Sequence, residues 1–125
     1  MTADRDPLSE AMIGCAIEVH KALGPGLLES VYEQCLCVEL ASHSIPFRRQ
    51  VTLPVTYKTE KIDSGFRLDL LVSERLVVEI KAVEKLQPVH QAQVLTYLKL
   101  GQFNRGLLLN FNVPLLRDGI QRLAL

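Results

Sequence analysis

The sequence predicts an α/β protein of the α+β kind, with a mixed sheet of about four strands flanked by helices. Three observations support this prediction. Two segments with helical periodicity come first, three segments with strand character follow, and a further helical segment precedes one more apolar strand. The predicted order is α-α-β-β-β-α-β, and the length of the chain predicts a single domain over residues 1–125.

Both N-terminal helical segments have recognisable limits. Asp6 suits an N-cap and Pro7 the first helical position, where a missing N–H costs nothing. Gly24-Pro25-Gly26 ends this first helix, and a second helix is expected from about Leu27 to His43. The first helix has a wide apolar stripe, which predicts that it is largely buried. The stripe consists of Leu8, Met12, Cys15, Val19 and Leu23.

The middle of the chain alternates between apolar and polar residues in the manner of strands. The first such segment is Arg49–Tyr57, in which Pro54 predicts an edge strand or a bulge. The polar segment Lys58–Lys61 predicts a hairpin loop. After the central strands, a helix opened by Pro88 is expected to run to about residue 100 and to end at Gly101. A short apolar strand from residue 105 to residue 111 then follows.

The central hairpin is predicted in residue-level detail. If residues 73–75 form a three-residue loop, Val72 pairs with Leu76, and this register sets Asp69 directly opposite Glu79. Alternation places Asp69 on one face of its strand, and the other face carries Leu68, Leu70 and Val72. On the next strand, Lys81 shares a face with Glu79.

Two interpretations of these charges are open. Carboxylates directly opposite each other are destabilising unless something neutralises them, and a divalent cation such as Mg²⁺ would do so through hard oxygen ligands. Alternatively, Lys81 forms salt bridges with both acids on a solvated face of the sheet. The apolar run around Glu79 indicates an interior strand and favours the metal interpretation.

Composition limits the function classes. Fourteen basic and fourteen acidic residues give a net charge of zero, so any phosphate binding must be local. No apolar run of membrane-spanning length and no signal-peptide pattern is present, so a soluble cytoplasmic protein without membrane contact is expected. The three cysteines, Cys15, Cys35 and Cys37, are odd in number and fall within helical patterns, so they are interpreted as reduced core residues. No matching Cys/His pair completes a zinc site with Cys35 and Cys37.

The chain resembles the PD-(D/E)XK nuclease superfamily and, within it, the small GxxExxY family. The motifs that carry this resemblance are spread from about Leu8 to Phe111. They are IEVHKALG, GPGLLESVYE, FRLDLLV, VVEIKAV and PVHQAQVLTYLKL, with Gly26, Glu29 and Tyr32 in the named motif. One departure is that Leu68 stands where many members have proline. The resemblance implies a restriction-endonuclease-like core.

The resemblance also implies a site. Asp69 and Glu79 would be metal ligands for Mg²⁺ or Mn²⁺, with Glu29 as a third acid from the second helix, and Lys81 would be the catalytic lysine. Further site-lining candidates are Tyr32, Gln93, Tyr97 and His20. Packing is the alternative role for each of the two tyrosines and for Gln93, and His20 either caps the helix end or reaches the cleft.

Three functions are consistent with these features. The first is a metal-dependent nuclease acting on nucleic acid, with DNA favoured over RNA. The second is a catalytically weak or inactive nucleic-acid-binding or assembly module on the same fold, which the neutral net charge favours. The third is a structural homo-oligomer built through an edge strand. A homo-oligomer or a larger complex is also compatible with either of the first two functions.

Overall fold

A computed structural model describes residues 6–125, without the side chain of Ser64, and shows three helices and one five-stranded sheet. The predicted fold class and element order are confirmed, and one strand is added after the predicted set. The elements are α1 (Pro7–Leu23), α2 (Glu29–Ser42), β1 (Phe47–Tyr57), β2 (Glu60–Val72), β3 (Leu76–Lys81), α3 (Pro88–Gly101), β4 (Arg105–Asn110) and β5 (Ile120–Ala124), with a short 3₁₀ turn at Leu116–Gly119.

The strands follow one another across the sheet in chain order, β1-β2-β3-β4-β5. All neighbours are antiparallel except β3 and β4, which are parallel. A parallel pair needs a crossover connection, and α3 provides it. No helix in residues 6–125 is both long enough and apolar enough to cross a membrane.

Apolar side chains fill both sides of the sheet. One cluster lies between the sheet and the helices α1 and α2, and it includes Leu70, Val78 and Leu109. The other cluster lies between the sheet and α3, and it includes Val77 and Leu108. Strands β3 and β4 are covered on both faces, which explains why LVV and LLL are continuous apolar runs rather than alternating ones.

The helix limits follow the predicted signals, with one exception. The Asp6 carboxylate accepts hydrogen bonds from the backbone N–H of Ser9 at 3.1 Å and from its hydroxyl at 2.9 Å, and Pro7 opens α1. At the end of α3, Gly101 is still helical, and Gln102 adopts the left-handed conformation, with φ of 59°. Glycine at residue 101 is required by packing, because the Phe103 ring occupies the space that a Cβ would need.

The β1–β2 hairpin departs from the prediction in its loop. Its strands extend to Tyr57 and from Glu60, which leaves two loop residues, with Lys58 at a φ of 56°. The register shifts between Leu53 and Val55, as Pro54 predicts for a bulge, and β1 lies at the edge of the sheet.

Strict alternation along β2 is a prediction that the structure corrects. Leu68 packs with Leu71 on the α3 side of the sheet, whereas Leu70 and Val72 pack on the α1 and α2 side. The change of face occurs at Asp69. Opposite this point β1 contains Gln50, whose φ is 50°, so both strands are irregular here.

Candidate active site

The two acids Asp69 and Glu79 meet where β2 and β3 separate. The predicted register is confirmed, since Val72 pairs with Leu76 and Leu70 pairs with Val78. Beyond this last pair, the two carboxylates accept hydrogen bonds from backbone N–H groups of the opposite strand. Glu79 Oε1 accepts the Asp69 N–H at 3.0 Å, and Asp69 Oδ2 accepts the Ile80 N–H at 2.8 Å. Each acid therefore satisfies a backbone donor on the opposite strand, which keeps the ends of the two strands apart without leaving buried donors unpaired.

The electrostatics of this acid pair are unfavourable for two negative charges. Glu79 is only 4% exposed. Burial raises its pKa to about 8, with a further contribution from the charge of Asp69. Burial also raises the pKa of Asp69, although the hydrogen bond from the Ile80 N–H acts in the opposite direction. Contact with the Asp69 side chain adds to the raised pKa of Glu79, so the two acids titrate as a coupled pair.

Lys81 and Glu29 border the acid pair. Lys81 is the last residue of β3, and its positive charge lowers the pKa values of both Asp69 and Glu79. Glu29 is the first residue of α2, and its Oε2 accepts the Ala82 N–H at 3.1 Å. Its negative charge contributes to the raised pKa of Asp69. Lys81 and Glu29 are thus near enough to the acid pair for their charges to shift the pKa of Asp69 in opposite directions.

The family of the chain follows from this arrangement together with one comparison. A profile described as the PD-(D/E)XK nuclease superfamily matches residues 6–123. The chain belongs to the PD-(D/E)XK nuclease superfamily. Neither a search of curated proteins nor a search of solved structures found a match.

The spacing of Asp69, Glu79 and Lys81 in the sequence has the form of the superfamily's D…ExK motif, with Ile80 between the last two. The oxygen donors of this motif fit a hard divalent cation, because two crowded and mostly buried carboxylates repel each other and carboxylate oxygen is the ligand that Mg²⁺ and Mn²⁺ prefer. Superfamily members commonly use such ions.

The predicted three-carboxylate ligand set is not assembled in the structure. Within residues 6–125, Asp69, Glu79 and Glu29 do not form a group whose ligand atoms all lie within 4.8 Å of one another. One oxygen of Glu29 instead accepts the Ala82 N–H, which draws its carboxylate toward the backbone after β3. Glu29 therefore borders the acid pair as a separate group.

A further acid near the site is Glu33, for which the sequence predicted no functional role. It is 6% exposed, and its carboxylate accepts hydrogen bonds from Arg49 at 3.0 Å and from Gln50 at 2.9 Å. Its charge raises the pKa of Asp69. Helical spacing could have indicated Glu33 as a residue near the site, because it follows Glu29 by four residues and so lies on the same face of α2.

Tyr32 is buried in the core and does not line the cleft. It is fully buried and stacks on Phe111 at 4.5 Å between ring centroids. Its hydroxyl donates to the Gly24 carbonyl at 2.6 Å and accepts the Leu27 N–H at 3.1 Å. The prediction of a substrate contact is wrong for this residue, since its polar atom is used to hold the Gly-Pro-Gly turn that leads into α2.

His20 is also structural. Its Nε2 lies 3.1 Å from the carbonyl oxygen of Phe111 and 2.8 Å from that of Val113, so the ring donates a hydrogen bond to the chain that follows β4. The side chain is buried. The site-lining prediction for His20 is therefore wrong. The favoured structural use is correct, although the side chain holds the chain after β4 and does not cap the end of α1.

Tyr97 and Gln93 occupy one side of α3, a turn apart. Tyr97 is buried and packs edge-on against Phe66, with ring centroids 5.7 Å apart. Burial raises the pKa of its hydroxyl, and the charges of Glu79 and Asp69 add to this effect. Gln93 is exposed on the preceding turn. The charges of both acids thus act on the Tyr97 hydroxyl, whereas Gln93 lies at the surface one turn earlier.

Proposed function

We propose that this chain is a Mg²⁺- or Mn²⁺-dependent nuclease that hydrolyses phosphodiester bonds in nucleic acid, and that it represents the GxxExxY branch of its superfamily. The observation that carries the proposal is the meeting of Asp69 and Glu79 beside Lys81 at the point where β2 and β3 separate. In an ordinary sheet, a buried acid directly against a half-buried one would only destabilise the fold. Their presence favours a site that a cation completes.

Asp69 and Glu79 are the residues that would hold the ion. When bound, such an ion lowers the pKa of a coordinated water and neutralises charge on the phosphate. Glu79 gives up its proton on binding, because a metal ligand must be deprotonated. The hydrogen bonds from the Asp69 and Ile80 N–H groups keep both carboxylates oriented.

Lys81 and Glu29 have distinct proposed roles. The ammonium group of Lys81 stabilises negative charge that develops on the phosphate oxygens as the water oxygen attacks phosphorus. The bond from phosphorus to the leaving oxygen then breaks. The attacking water releases one proton to solvent, and the leaving oxygen takes one up. Glu29 is exposed and orients the attacking water as a hydrogen-bond acceptor.

Lys81→Ala tests this function directly, because it separates catalysis from metal binding. We expect the variant to keep divalent-ion affinity and to lose roughly 100-fold or more of cleavage, the scale of removing one stabiliser of transition-state charge. Lys81→Arg should restore little, because a planar guanidinium does not replace a compact ammonium group. The exposed Lys85, four residues further on, provides the matched control Lys85→Ala, which should cleave like the wild type.

The assay is cleavage of labelled single-stranded, duplex and flapped DNA, and of RNA, with Mn²⁺, while metal binding is measured by calorimetry on each protein. Equal cleavage by wild type and Lys81→Ala would refute the assigned role of the lysine. Absence of cleavage by the wild type on every substrate would instead favour the nucleic-acid-binding or assembly module, for which the neutral net charge is the supporting observation.

A further inference from the structure

A second group of potential ligands lies at the C-terminal end of α2. Cys15 in α1, Glu39 in α2 and His43 just after α2 each offer one ligand atom, and these atoms all lie within 4.8 Å of one another. The sulfur of Cys15 is 3.8 Å from Nδ1 of His43, and Nδ1 is 3.6 Å from Oε2 of Glu39. Among residues 6–125 this is the one group of three or more such side chains that meets this distance limit.

The separations match those of a tetrahedral zinc site. Bond lengths of about 2.3 Å to sulfur and about 2.0–2.1 Å to nitrogen or oxygen place sulfur and nitrogen roughly 3.5 Å apart, and nitrogen and oxygen roughly 3.4 Å apart. The observed distances of 3.8 Å and 3.6 Å exceed these values by only a few tenths of an ångström. Small rotations of the side chains are therefore enough to close the group around an ion.

An ion can reach this group from solvent, and its side chains can become metal ligands. Cys15 is buried, but the side chains of His43 and Glu39 are 53% and 31% exposed, so an ion can enter from solvent. The His43 Nδ1 now lies 2.9 Å from the backbone carbonyl of Glu39, a hydrogen bond that an exposed ring can exchange for a metal bond. Burial and the charge of Glu39 raise the pKa of the Cys15 thiol, a combination that a bound cation reverses.

We propose that Cys15, Glu39 and His43 form a binding site for Zn²⁺ or a similar borderline transition-metal ion that ties α1 to the C-terminal end of α2. Three protein ligands leave the fourth tetrahedral position to solvent. Binding releases the thiol proton to solvent, and the neutral His43 ring carries its proton on Nε2 when Nδ1 binds the ion. Thiolate and imidazole are poor ligands for Mg²⁺, so this site and the acid pair select different ions.

The two sites are well separated along the same helix. Glu29 begins α2 and Glu39 lies ten residues later, which is about 15 Å of helix. A metal clamp at the C-terminal end of α2 would fix the orientation of the helix that carries Glu29 and Glu33. The inference does not depend on the proposed nuclease activity.

Titration of the whole chain with Co²⁺ tests the site, because a cobalt–thiolate bond gives a charge-transfer absorption that carboxylate ligands do not. We expect the wild type to bind one Co²⁺ with this absorption, and Zn²⁺ but not excess Mg²⁺ to displace it. Cys15→Ala should abolish the absorption. His43→Ala should weaken binding by at least about 10-fold to 100-fold, the range measured for lesser changes around metal ligands.

The chain offers close controls. Cys35→Ala and Cys37→Ala remove the other two thiols and should leave the absorption and affinity unchanged. Asp69→Asn should also leave them unchanged. His43 is largely exposed, so its variant tests the site even if Cys15→Ala folds poorly. A wild-type protein without the thiolate absorption, or an absorption that survives in both Cys15→Ala and His43→Ala, would overturn the proposal.

Discussion

Glu79 combines two properties that are rarely found together on a strand, since it is buried and it lies against a second acid. Its carboxyl group keeps a proton under conditions in which an unfolded chain would release it. The same group accepts the Asp69 N–H, so it also completes the backbone hydrogen bonds of the sheet. A substitution that removes the charge of Glu79 but keeps its shape separates the effect of the titrating proton from that of the backbone hydrogen bond.

We expect Glu79→Gln to change how the stability of the metal-free protein depends on pH. The folded-state pKa of Glu79 is raised from 4.5 to about 8, so the folded protein binds this proton more tightly than the unfolded chain does. The resulting stabilisation is complete below the unfolded pKa of 4.5 and is lost as the pH rises through about 8. Relative to Glu79→Gln, the wild type should lose on the order of a few kcal/mol between pH 5 and pH 8.

Urea unfolding at several pH values in the presence of a chelator measures this difference. Glu84→Gln removes an exposed acid beyond the end of β3 and provides the control, which should follow the wild type. If the curves of wild type and Glu79→Gln run parallel over the same pH range, the burial and repulsion assigned to Glu79 are not present in solution.

Tyr32→Phe should weaken both the fold and the proposed activity. The hydroxyl makes two hydrogen bonds at the Gly-Pro-Gly turn, and the Leu27 N–H would be left without its acceptor. The expected loss is about 1–3 kcal/mol of stability, together with reduced cleavage because Glu29 loses its support. Tyr57, which is 62% exposed, gives the control Tyr57→Phe, and an equally small effect of both variants in thermal unfolding would contradict this role.

At the scale of elements, the sequence predicts structure well where local patterns determine it. The three-residue loop at residues 73–75 determined the register of Asp69 and Glu79, and Asp6-Pro7 determined the start of α1. Strand β5 was missed because IQRLA alternates weakly and is recognisable mainly through its pairing with β4. Two contacts could not be predicted from local patterns because they depend on tertiary packing. His20 donates to Phe111 and Val113, more than 90 positions later, and His43 approaches Cys15 from the end of another helix.

Two glycines in helices should respond in opposite ways to the same substitution. Gly14→Ala in α1 adds a methyl group that has no atom within 4 Å, so we expect a gain of about 0.5–1 kcal/mol from helix propensity. Gly101→Ala in α3 meets the Phe103 ring, so the same change should cost about 1–3 kcal/mol. Chemical denaturation of both variants measures this contrast, and a gain at both positions would show that the Phe103 ring moves aside freely.

At the scale of the whole molecule, the crowded acids predict that divalent ions stabilise the folded protein. Mg²⁺ or Mn²⁺ at about 100 times its dissociation constant should add about 2.7 kcal/mol at neutral pH. Asp69→Asn should abolish this gain and should raise the stability of the metal-free protein, because it removes repulsion with Glu79. Thermal unfolding with and without the ion is the measurement.

Asp118→Asn changes an exposed acid in the 3₁₀ turn and serves as the control, in which the shift should persist. A shift in the unfolding temperature that is unchanged in Asp69→Asn would place ion binding elsewhere in the chain.

The contact of His20 with Phe111 and Val113 joins α1 to a segment more than 90 positions later. The strand that carries Glu79 also has β4 as its parallel neighbour, and β4 ends only at Asn110. Until these C-terminal residues emerge from the ribosome, the nascent chain lacks both partners, although Asp69, Glu79 and Lys81 are already synthesised. The acid pair therefore acquires its full surroundings only after most of the chain has been made.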